Sequence, residues 1–104
     1  NEISANNPRT EIQLFPNPFN PNEAGTISIS LKLAQSGEEK PSFVEIYNVK
    51  GQKIKKIPLT TNKDQILLNW DGKDKFGKCV NSGIYFIGLT TDSKNIFRRL
   101  LLIN

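Results

Sequence analysis

The sequence predicts an all-β domain, built as a seven-stranded antiparallel β-sandwich. Three observations favour this fold class. Apolar and polar residues alternate with period two in several segments. Turn-forming residues recur about every 8 to 12 positions. No window of helical length has an apolar spacing that a strand does not explain equally well. The chain has 104 residues, 37% of them hydrophobic and 23% charged, so we expect one core and one domain.

The beginning of the chain has the composition of a linker. Residues 1–10 are polar, rich in asparagine and interrupted by Pro8. We therefore expect a linker from a preceding domain at 1–10 and the folded domain at 11–104. Residues 1–9 lack the basic start and the apolar stretch of a secretory signal peptide. No apolar run approaches the roughly 20 residues of a membrane-spanning helix.

The first strand is predicted at Glu11–Phe15, where polar and apolar residues alternate. The next segment, Pro16-Asn17-Pro18-Phe19-Asn20-Pro21, lacks three backbone donors at its prolines, so no central strand can continue through it. We predict a short edge strand followed by an extended loop, with Phe15 and Phe19 as its apolar anchors.

The second strand has the clearest pattern, because Ile27, Ile29, Leu31 and Leu33 recur at period two and predict one buried face.

A polar turn at 36–41 then leads to a third strand at Phe43–Val49. The tetrapeptide Asn48-Val49-Lys50-Gly51 is expected to close a tight hairpin into a fourth strand at 52–59. Gly51 is expected to supply the positive φ that such a turn requires.

The fifth strand is predicted at Gln65–Trp70, after a loop at 60–63, with Ile66, Leu68 and Trp70 on one face. The segment 71–78 is dense in turn formers, and its aspartates are expected to accept hydrogen bonds from backbone amides two residues on.

After a turn at 81–83, the sixth strand at Ile84–Thr91 is apolar on both faces, as expected in the middle of a sheet. A turn at 91–94 precedes the last strand, at Asn95–Ile103.

Seven short strands and a single late tryptophan fit a two-sheet sandwich of immunoglobulin-like type better than a small closed barrel, which is the alternative. Trp70 and Tyr85 lie on alternating apolar strand faces, so we expect them to pack in the core rather than to form a sugar-stacking platform. Cys79 is the only cysteine, which excludes an internal disulfide, and we expect a buried or half-buried thiol.

Catalysis is disfavoured because the chain contains no histidine. This removes the usual general base, the commonest metal ligand and every Ser-His or Cys-His pair. We expect a noncatalytic protein without cofactors. The carboxylate pairs Asp71/Asp74 and Glu38/Glu39 lie in predicted turns, where turn-stabilising or solvated roles are expected. Asp71 and Asp74 are also calcium candidates, although only two carboxylates are present and lysines lie between and beside them.

The net charge of +4 permits nonspecific attraction to anionic surfaces. A nucleic-acid site would need aromatic residues interleaved with its basic ones, and only Tyr47 lies nearby, so no nucleic-acid partner is predicted. We instead expect a solvated edge strand whose lysines oppose edge-to-edge aggregation. The basic residues concentrate around the hairpin at 43–59 and near the end of the chain: Lys50, Lys53, Lys55, Lys56, Lys63, Arg98 and Arg99.

Four motifs, taken in order, resemble one family. They are Phe15-Pro16-Asn17-Pro18-Phe19-Asn20-Pro21, Ile46-Tyr47-Asn48-Val49-Lys50-Gly51-Gln52, Trp70-Asp71-Gly72-Lys73-Asp74 and Ser82-Gly83-Ile84-Tyr85-Phe86. With a basic pair before an apolar ending, the chain resembles the type A C-terminal sorting domains of type IX secretion from about Leu14 to Ile103. The half from Trp70 to Tyr85 is also similar to the immunoglobulin-like domain of flagellar hook-capping proteins. The charged turn at 38–41 and Cys79 depart from the family.

The resemblance implies a noncatalytic module that directs a larger secreted protein to the outer membrane and cell surface. The implied partners are the secretion machinery, outer-membrane components and an upstream cargo domain, and the module is expected to be monomeric. We expect recognition at 97–104, with Arg98 and Arg99 reading charge beside Leu100-Leu101-Leu102-Ile103, because an edge strand offers unpaired backbone groups to a receptor. The same residues would serve equally well as a core strand with solvated arginines.

Three other functions stay open at this point. One is a fibronectin-type spacer or adhesion domain that positions a catalytic partner. The second is a carbohydrate-binding module, which burial of Tyr47, Trp70 and Tyr85 would argue against. The third is an assembly subunit with an interface above about 1,000 Å².

Overall fold

The computed structural model describes residues 10–33, 43–59, 65–90 and 95–104. Several predictions concern residues outside these ranges. They are the predicted linker up to residue 9, the turns predicted at 36–41, 60–63 and 91–94, and the side chains of Glu38, Glu39 and Lys63. The elements are β1 (Glu11–Phe15), α1 (Pro21–Ala24), β2 (Ile27–Lys32), β3 (Phe43–Asn48), β4 (Lys53–Pro58), β5 (Gln65–Trp70), β6 (Gly83–Thr90) and β7 (Asn95–Leu102).

The strands form two antiparallel sheets, which confirms the predicted immunoglobulin-like β-sandwich. One sheet has the strand order β1-β2-β5 and the other the order β4-β3-β6-β7. Strand β6 therefore lies between β3 and β7, as its apolar residues on both faces predict. Strands β4 and β7 are the edges of the four-stranded sheet.

The core lies between the sheets and consists of the inward-facing residues of every second strand position. Ile27, Ile29, Leu31 and Leu33 are all buried, which confirms the period-two prediction for β2. Full burial of one such side chain contributes about 1.5–3 kcal/mol. No polar or charged residue is buried among those described. The other buried members are Ile12, Phe19, Val44, Ile46, Ile66, Trp70, Val80, Tyr85, Ile87, Leu89, Leu100 and Leu102.

The β3–β4 hairpin closes on the side chain of Asn48. Its Oδ1 accepts hydrogen bonds from the backbone amides of Lys50 at 3.0 Å and Gln52 at 2.9 Å. Gly51 has a φ of 85°, which confirms the prediction that this position needs glycine. A register shift between Ile46 and Tyr47 marks a bulge in the pairing with β4. The predicted hairpin is therefore present and stabilised by a local Asx interaction.

The prediction that Phe15 anchors the proline segment is wrong, whereas the same prediction for Phe19 is confirmed. Phe19 is fully buried and Phe15 is 77% exposed. The reason is the alternation of β1, in which Ile12 faces the core, so that Phe15, three positions later, faces outward.

The helix α1 was not predicted, because four residues carry no periodicity. Its local signals are nevertheless in the sequence. Pro21 occupies the first turn, the Oδ1 of Asn20 accepts from the Asn22 amide at 2.9 Å, and Gly25 follows as the C-cap. The peptide bonds Phe15–Pro16 and Asn17–Pro18 are cis.

The prediction of a buried or half-buried Cys79 is also wrong, since the thiol is exposed. Cys79 pairs with Lys73 in an isolated bridge within the loop between β5 and β6. Its neighbour Val80 is the buried residue of this segment, and alternation then directs Cys79 to solvent.

Candidate functional site

The predicted recognition segment forms β7, an edge strand paired with β6. The register runs from Thr90↔Asn95 to Gly83↔Leu102 without a shift. Alternation along the strand divides the four apolar residues into two pairs. Leu100 and Leu102 are fully buried, whereas Leu101 is 41% and Ile103 46% exposed. Only the second pair can be reached by a partner while the domain stays folded.

Both predicted charge-reading residues are exposed, but alternation directs them to opposite faces of the sheet. Arg98 pairs with the buried Ile87 and so lies at the rim of the core-facing side. Its Nη1 donates to the Phe97 carbonyl at 3.3 Å. Arg99 pairs with Phe86 on the outer side. The structure therefore presents the two guanidinium groups separately rather than as one cluster.

The proline segment binds the outward edge of β7. The Phe19 amide donates to the Leu101 carbonyl at 2.8 Å, and the Ile103 amide donates to the Phe19 carbonyl at 2.9 Å. Asn17 adds two side-chain bonds: its Nδ2 donates to the Arg99 carbonyl at 3.0 Å and its Oδ1 accepts from the Leu101 amide at 3.1 Å. We call this set of contacts between Asn17, Phe19 and β7 the clasp.

The clasp corrects the prediction that β7 offers unpaired backbone groups. From Arg99 to Ile103, the outward donors and acceptors just named are already bonded within the chain. Strand addition to this half of β7 would require the clasp to open. The groups that stay accessible along this segment are the side chains of Arg98, Arg99, Leu101 and Ile103.

Asn104 is also tied to the domain. Its amide donates to the Ser82 Oγ at 2.9 Å and its Nδ2 donates to the Val80 carbonyl. The Ser82 hydroxyl in turn donates to the Asn104 Oδ1 at 2.9 Å. Residues 99–104 are thus fixed from two sides, by the clasp and by the turn before β6.

Three of the four sequence motifs meet at Trp70. Its ring centroid lies 6.4 Å from that of Phe19 and 6.1 Å from that of Tyr85. Its Nε1 donates to the Lys73 carbonyl at 2.9 Å. The Tyr85 hydroxyl donates to the Asn81 carbonyl at 2.6 Å, and burial raises the Tyr85 pKa.

Two glycines belong to the same end of the sandwich. Gly72 has a φ of 78° and a Cβ there would lie 3.1 Å from the Cγ of Pro21, so this turn needs glycine on both grounds. Gly83 begins β6. The motif residues at this end therefore pack the core and shape its turns. Of the three aromatic residues named for a carbohydrate platform, Trp70 and Tyr85 are buried, which argues against their use, whereas Tyr47 is only half-buried.

The aspartates of the β5–β6 loop make the predicted turn hydrogen bonds. The Asp71 Oδ1 accepts from the Lys73 amide at 3.1 Å. The Asp74 Oδ1 accepts from the amides of Phe76 at 2.9 Å and Lys78 at 3.0 Å. The backbone hydrogen bond from Lys78 is the main cause that lowers the Asp74 pKa. Within the described ranges, no group of three His, Cys, Asp or Glu residues could hold a metal ion.

The lysines of the hairpin border the sheet along its edge strand β4, as predicted. Lys53 forms an ion pair with Glu45 of β3, with 3.2 Å between Nζ and Oε2. Burial acts to raise the Glu45 pKa, but the pKa is lowered, because the hydrogen bond and charge of Lys53 and the hydroxyls of Thr90 and Tyr47 outweigh burial. Burial and then the Glu45 charge raise the Tyr47 pKa.

Sequence reasoning missed the clasp. Its partners are 82 and 84 positions apart for the Asn17 bonds, and no local pattern connects them. The one available signal was the position of Asn17 between two prolines. Prolines have no amide hydrogen to donate, so a side chain with both a donor and an acceptor is the group in this segment that can pair with a neighbouring strand.

A family model described as the FlgD Ig-like domain matches residues 18–95, which is well over half of the chain. No curated protein sequence matches significantly. Among the described residues, no helix is long and apolar enough to cross a membrane.

Two solved structures from Porphyromonas gingivalis are similar to this chain. PorZ, described as an essential bacterial surface component of the type-IX secretion system, is 20% identical over 89% of this chain, with a TM-score of 0.60. Dimeric latent PorU is 19% identical over 90% of this chain, with a TM-score of 0.68. The chain spans 11% of PorZ and 9% of PorU. At these identities, the similarity shows a shared fold.

Proposed function

Since the chain belongs to the FlgD Ig-like domain family, we propose that it is a noncatalytic sorting and anchoring module, of type A, for type IX secretion. In this role it directs a larger secreted protein to the outer membrane and cell surface. Its partners are the secretion machinery, outer-membrane components and the cargo domain in the same polypeptide.

The shared fold with a small part of PorZ supports this assignment. PorZ is itself described as a surface component of a type-IX secretion system, and the matched part is about one-tenth of its length. A domain of this size within a much larger chain fits a module that accompanies other domains. The sequence motifs that resemble sorting domains support the same function independently of the fold.

The observation that carries the proposal is the arrangement of β7. In residues 98–103, Leu100 and Leu102 are buried, the outer edge is fixed by the clasp, and four side chains are exposed: Arg98, Arg99, Leu101 and Ile103. Because this segment is already ordered in the folded domain, its binding to a receptor costs little conformational entropy of the strand. The buried Leu100 and Leu102 keep these side chains in register.

A noncatalytic role is supported by the hydrogen bonding of the carboxylates. Asp71 and Asp74 accept backbone amide bonds within their loop, and Glu45 is paired with Lys53. Each of these three carboxylates is thus hydrogen-bonded or ion-paired within the domain, on the surface of the sandwich.

The proposal is tested by fusing all 104 residues behind a reporter enzyme that carries a signal peptide. The fusion is expressed in a bacterium with a functional type IX system and in a mutant that lacks it. We expect reporter activity at the cell surface or in the medium of the first strain and periplasmic retention in the second. Retention in both strains, or equal release from both, would contradict the proposal.

A further inference from the structure

The outer face of the four-stranded sheet is not the polar surface that a solvated antiparallel sheet usually has. We define the outer face as the side away from the core. The strand registers place its apolar residues in neighbouring rows across β3, β6 and β7. They are Phe43, Tyr47, Ile84, Phe86, Phe97 and Leu101, each half-buried or exposed.

Two aromatic rings cross the middle of this face. The Tyr47 and Phe97 rings meet edge to face, with centroids 5.7 Å apart and planes at 72°. Gly88 of β6 lies between β3, which carries Tyr47, and β7, which carries Phe97. A Cβ at Gly88 would be 2.3 Å from the Phe97 Cδ1. The absence of a side chain at Gly88 is what lets the Phe97 ring lie flat against the sheet and reach Tyr47.

These rings line a shallow depression that is wide open to solvent. The depression has a volume of about 620 Å³, and its lining includes Tyr47, Phe86, Phe97 and Thr90 together with the carboxylate of Glu45. Such a volume accommodates one or two large side chains of a partner. The rings form its floor, since Tyr47, Phe86 and Phe97 are all half-buried.

Cationic side chains lie on the outer face on either side of the depression, whose described lining residues include no cation. Lys56 lies over the Phe43 ring at 4.0 Å, and Lys53 stands beside it along β4. Arg99 lies on the opposite border, on β7. Among the described residues of the outer face, Glu45 is the only acid. Its carboxylate is bonded to Lys53, to the Tyr47 hydroxyl at 3.3 Å and to the Thr90 hydroxyl at 3.2 Å.

We propose that the outer face docks a protein partner that presents an aromatic or aliphatic side chain between carboxylates. The side chain enters the depression, and the carboxylates meet the cations on both borders. An anionic membrane fits less well, because membranes of this kind attract clusters of about four to eight basic residues. On the described part of the outer face Lys53 is already paired with Glu45, which leaves Lys56 and Arg99. A nucleic acid also fits less well, because phosphate contacts by several basic residues supply most of the affinity for nucleic acids. This inference does not rest on the secretion function.

The test is an NMR titration of the isotope-labelled 104-residue protein with the peptide Asp-Glu-Phe-Glu-Asp. We expect saturable shifts confined to the outer face, including Tyr47, Phe97 and Arg99. The double variant Lys56→Glu, Arg99→Glu should bind at least about tenfold more weakly, since two attractive charges become repulsive. Lys32→Glu, an exposed change on the other sheet, is the matched control and should bind as the unchanged protein does.

Several outcomes would overturn the inference. Among them are the absence of saturable shifts on the outer face, or equal binding of a peptide with Ala in place of Phe or Lys in place of the acids. Tighter binding of anionic lipid vesicles or single-stranded DNA to the same residues would also overturn it. Unchanged amide dispersion in each variant establishes that the fold is intact. Because the assay uses purified protein, its result is independent of export.

Discussion

Asn17 connects the beginning and the end of the folded chain through one side chain. Its amide group donates to the Arg99 carbonyl and accepts from the Leu101 amide, so it replaces the peptide unit that a neighbouring strand would supply. Pro16 and Pro18 on either side have no amide hydrogen to compete for these groups. The side chain thereby covers a strand edge that would otherwise be open to pairing with another chain.

Asn17→Ala should lower the free energy of unfolding by about 1–3 kcal/mol, since it removes two hydrogen bonds that each contribute about 0.5–1.5 kcal/mol. The measurement is equilibrium unfolding in urea. Asn22→Ala, an exposed change in α1 three residues after the clasp residue Phe19, is the matched control and should change stability far less. Equal effects of the two substitutions would mean that the clasp does not stabilise the fold.

At this scale, the sequence predicted burial correctly where a residue lies in a periodic strand. Leu31 and Trp70 are examples. It was wrong for Phe15 and Cys79, because each was judged by residue type rather than by its phase relative to a buried neighbour. Burial of Phe19 was predicted, but its backbone pairing with β7 was not, since that pairing depends on a distant strand.

At the scale of elements, the loop between β5 and β6 is held by its own hydrogen bonds. Asp74 caps two amides, the Asp74 amide donates to the Lys78 carbonyl at 2.8 Å, and the Val80 amide donates to the Gly72 carbonyl at 2.9 Å. The Trp70 indole donates to this loop from the core side. The loop is therefore a structured part of the domain, as its density of turn formers predicts.

The lowered pKa of Asp74 makes this loop sensitive to acid. A carboxylate with a lowered folded-state pKa stabilises the fold above its unfolded pKa of about 3.9, and this stability is lost as pH falls through the folded pKa. Asp74→Asn keeps an acceptor oxygen without the charge. It should unfold more readily than the unchanged protein at neutral pH and lose less stability between about pH 5 and pH 2. Urea unfolding at several pH values measures this; parallel curves would contradict it.

Strand positions were predictable because their signals are local: period-two alternation in β1, β2 and β5, strand-favouring composition in β3 and apolar residues on both faces in β6. The hairpin was predictable from Asn48 and Gly51, whose turn chemistry is also local. The short helix α1 was missed because only its caps carry a signal. The aromatic contact between Tyr47 and Phe97 was missed because it depends on the pairing of β3 and β7 with β6 and on the small size of Gly88.

At the scale of the whole molecule, the core occupies the space between the sheets and the exposed chemistry lies on strand edges and the outer face. The buried aromatic residues Phe19, Trp70 and Tyr85 hold the proline segment, the β5–β6 loop and β6 together at one end. This arrangement fixes β7 between β6 and the clasp. The fold class followed from the sequence, but which half of β7 carries the clasp required the structure.

A truncation after Ile96 would be an ambiguous test of recognition, because it removes Leu100 and Leu102 from the core together with the exposed residues. Loss of a large buried aliphatic side chain costs about 2–5 kcal/mol each, so the domain would unfold. Substitution of the exposed residues alone separates recognition from folding.

The most direct measurement is the fraction of the reporter fusion that reaches the cell surface when Arg98→Gln, Arg99→Gln, Leu101→Thr and Ile103→Thr are combined. The control fusion carries Lys32→Gln and Leu67→Thr, exposed changes on the three-stranded sheet. Circular dichroism and urea unfolding of the isolated domains establish that both variants are folded. We predict at least about a tenfold loss of surface reporter for the β7 variant, which corresponds to about 1.4 kcal/mol of recognition, and normal export for the control. Normal export of the folded β7 variant would contradict the claim that its exposed side chains carry the address.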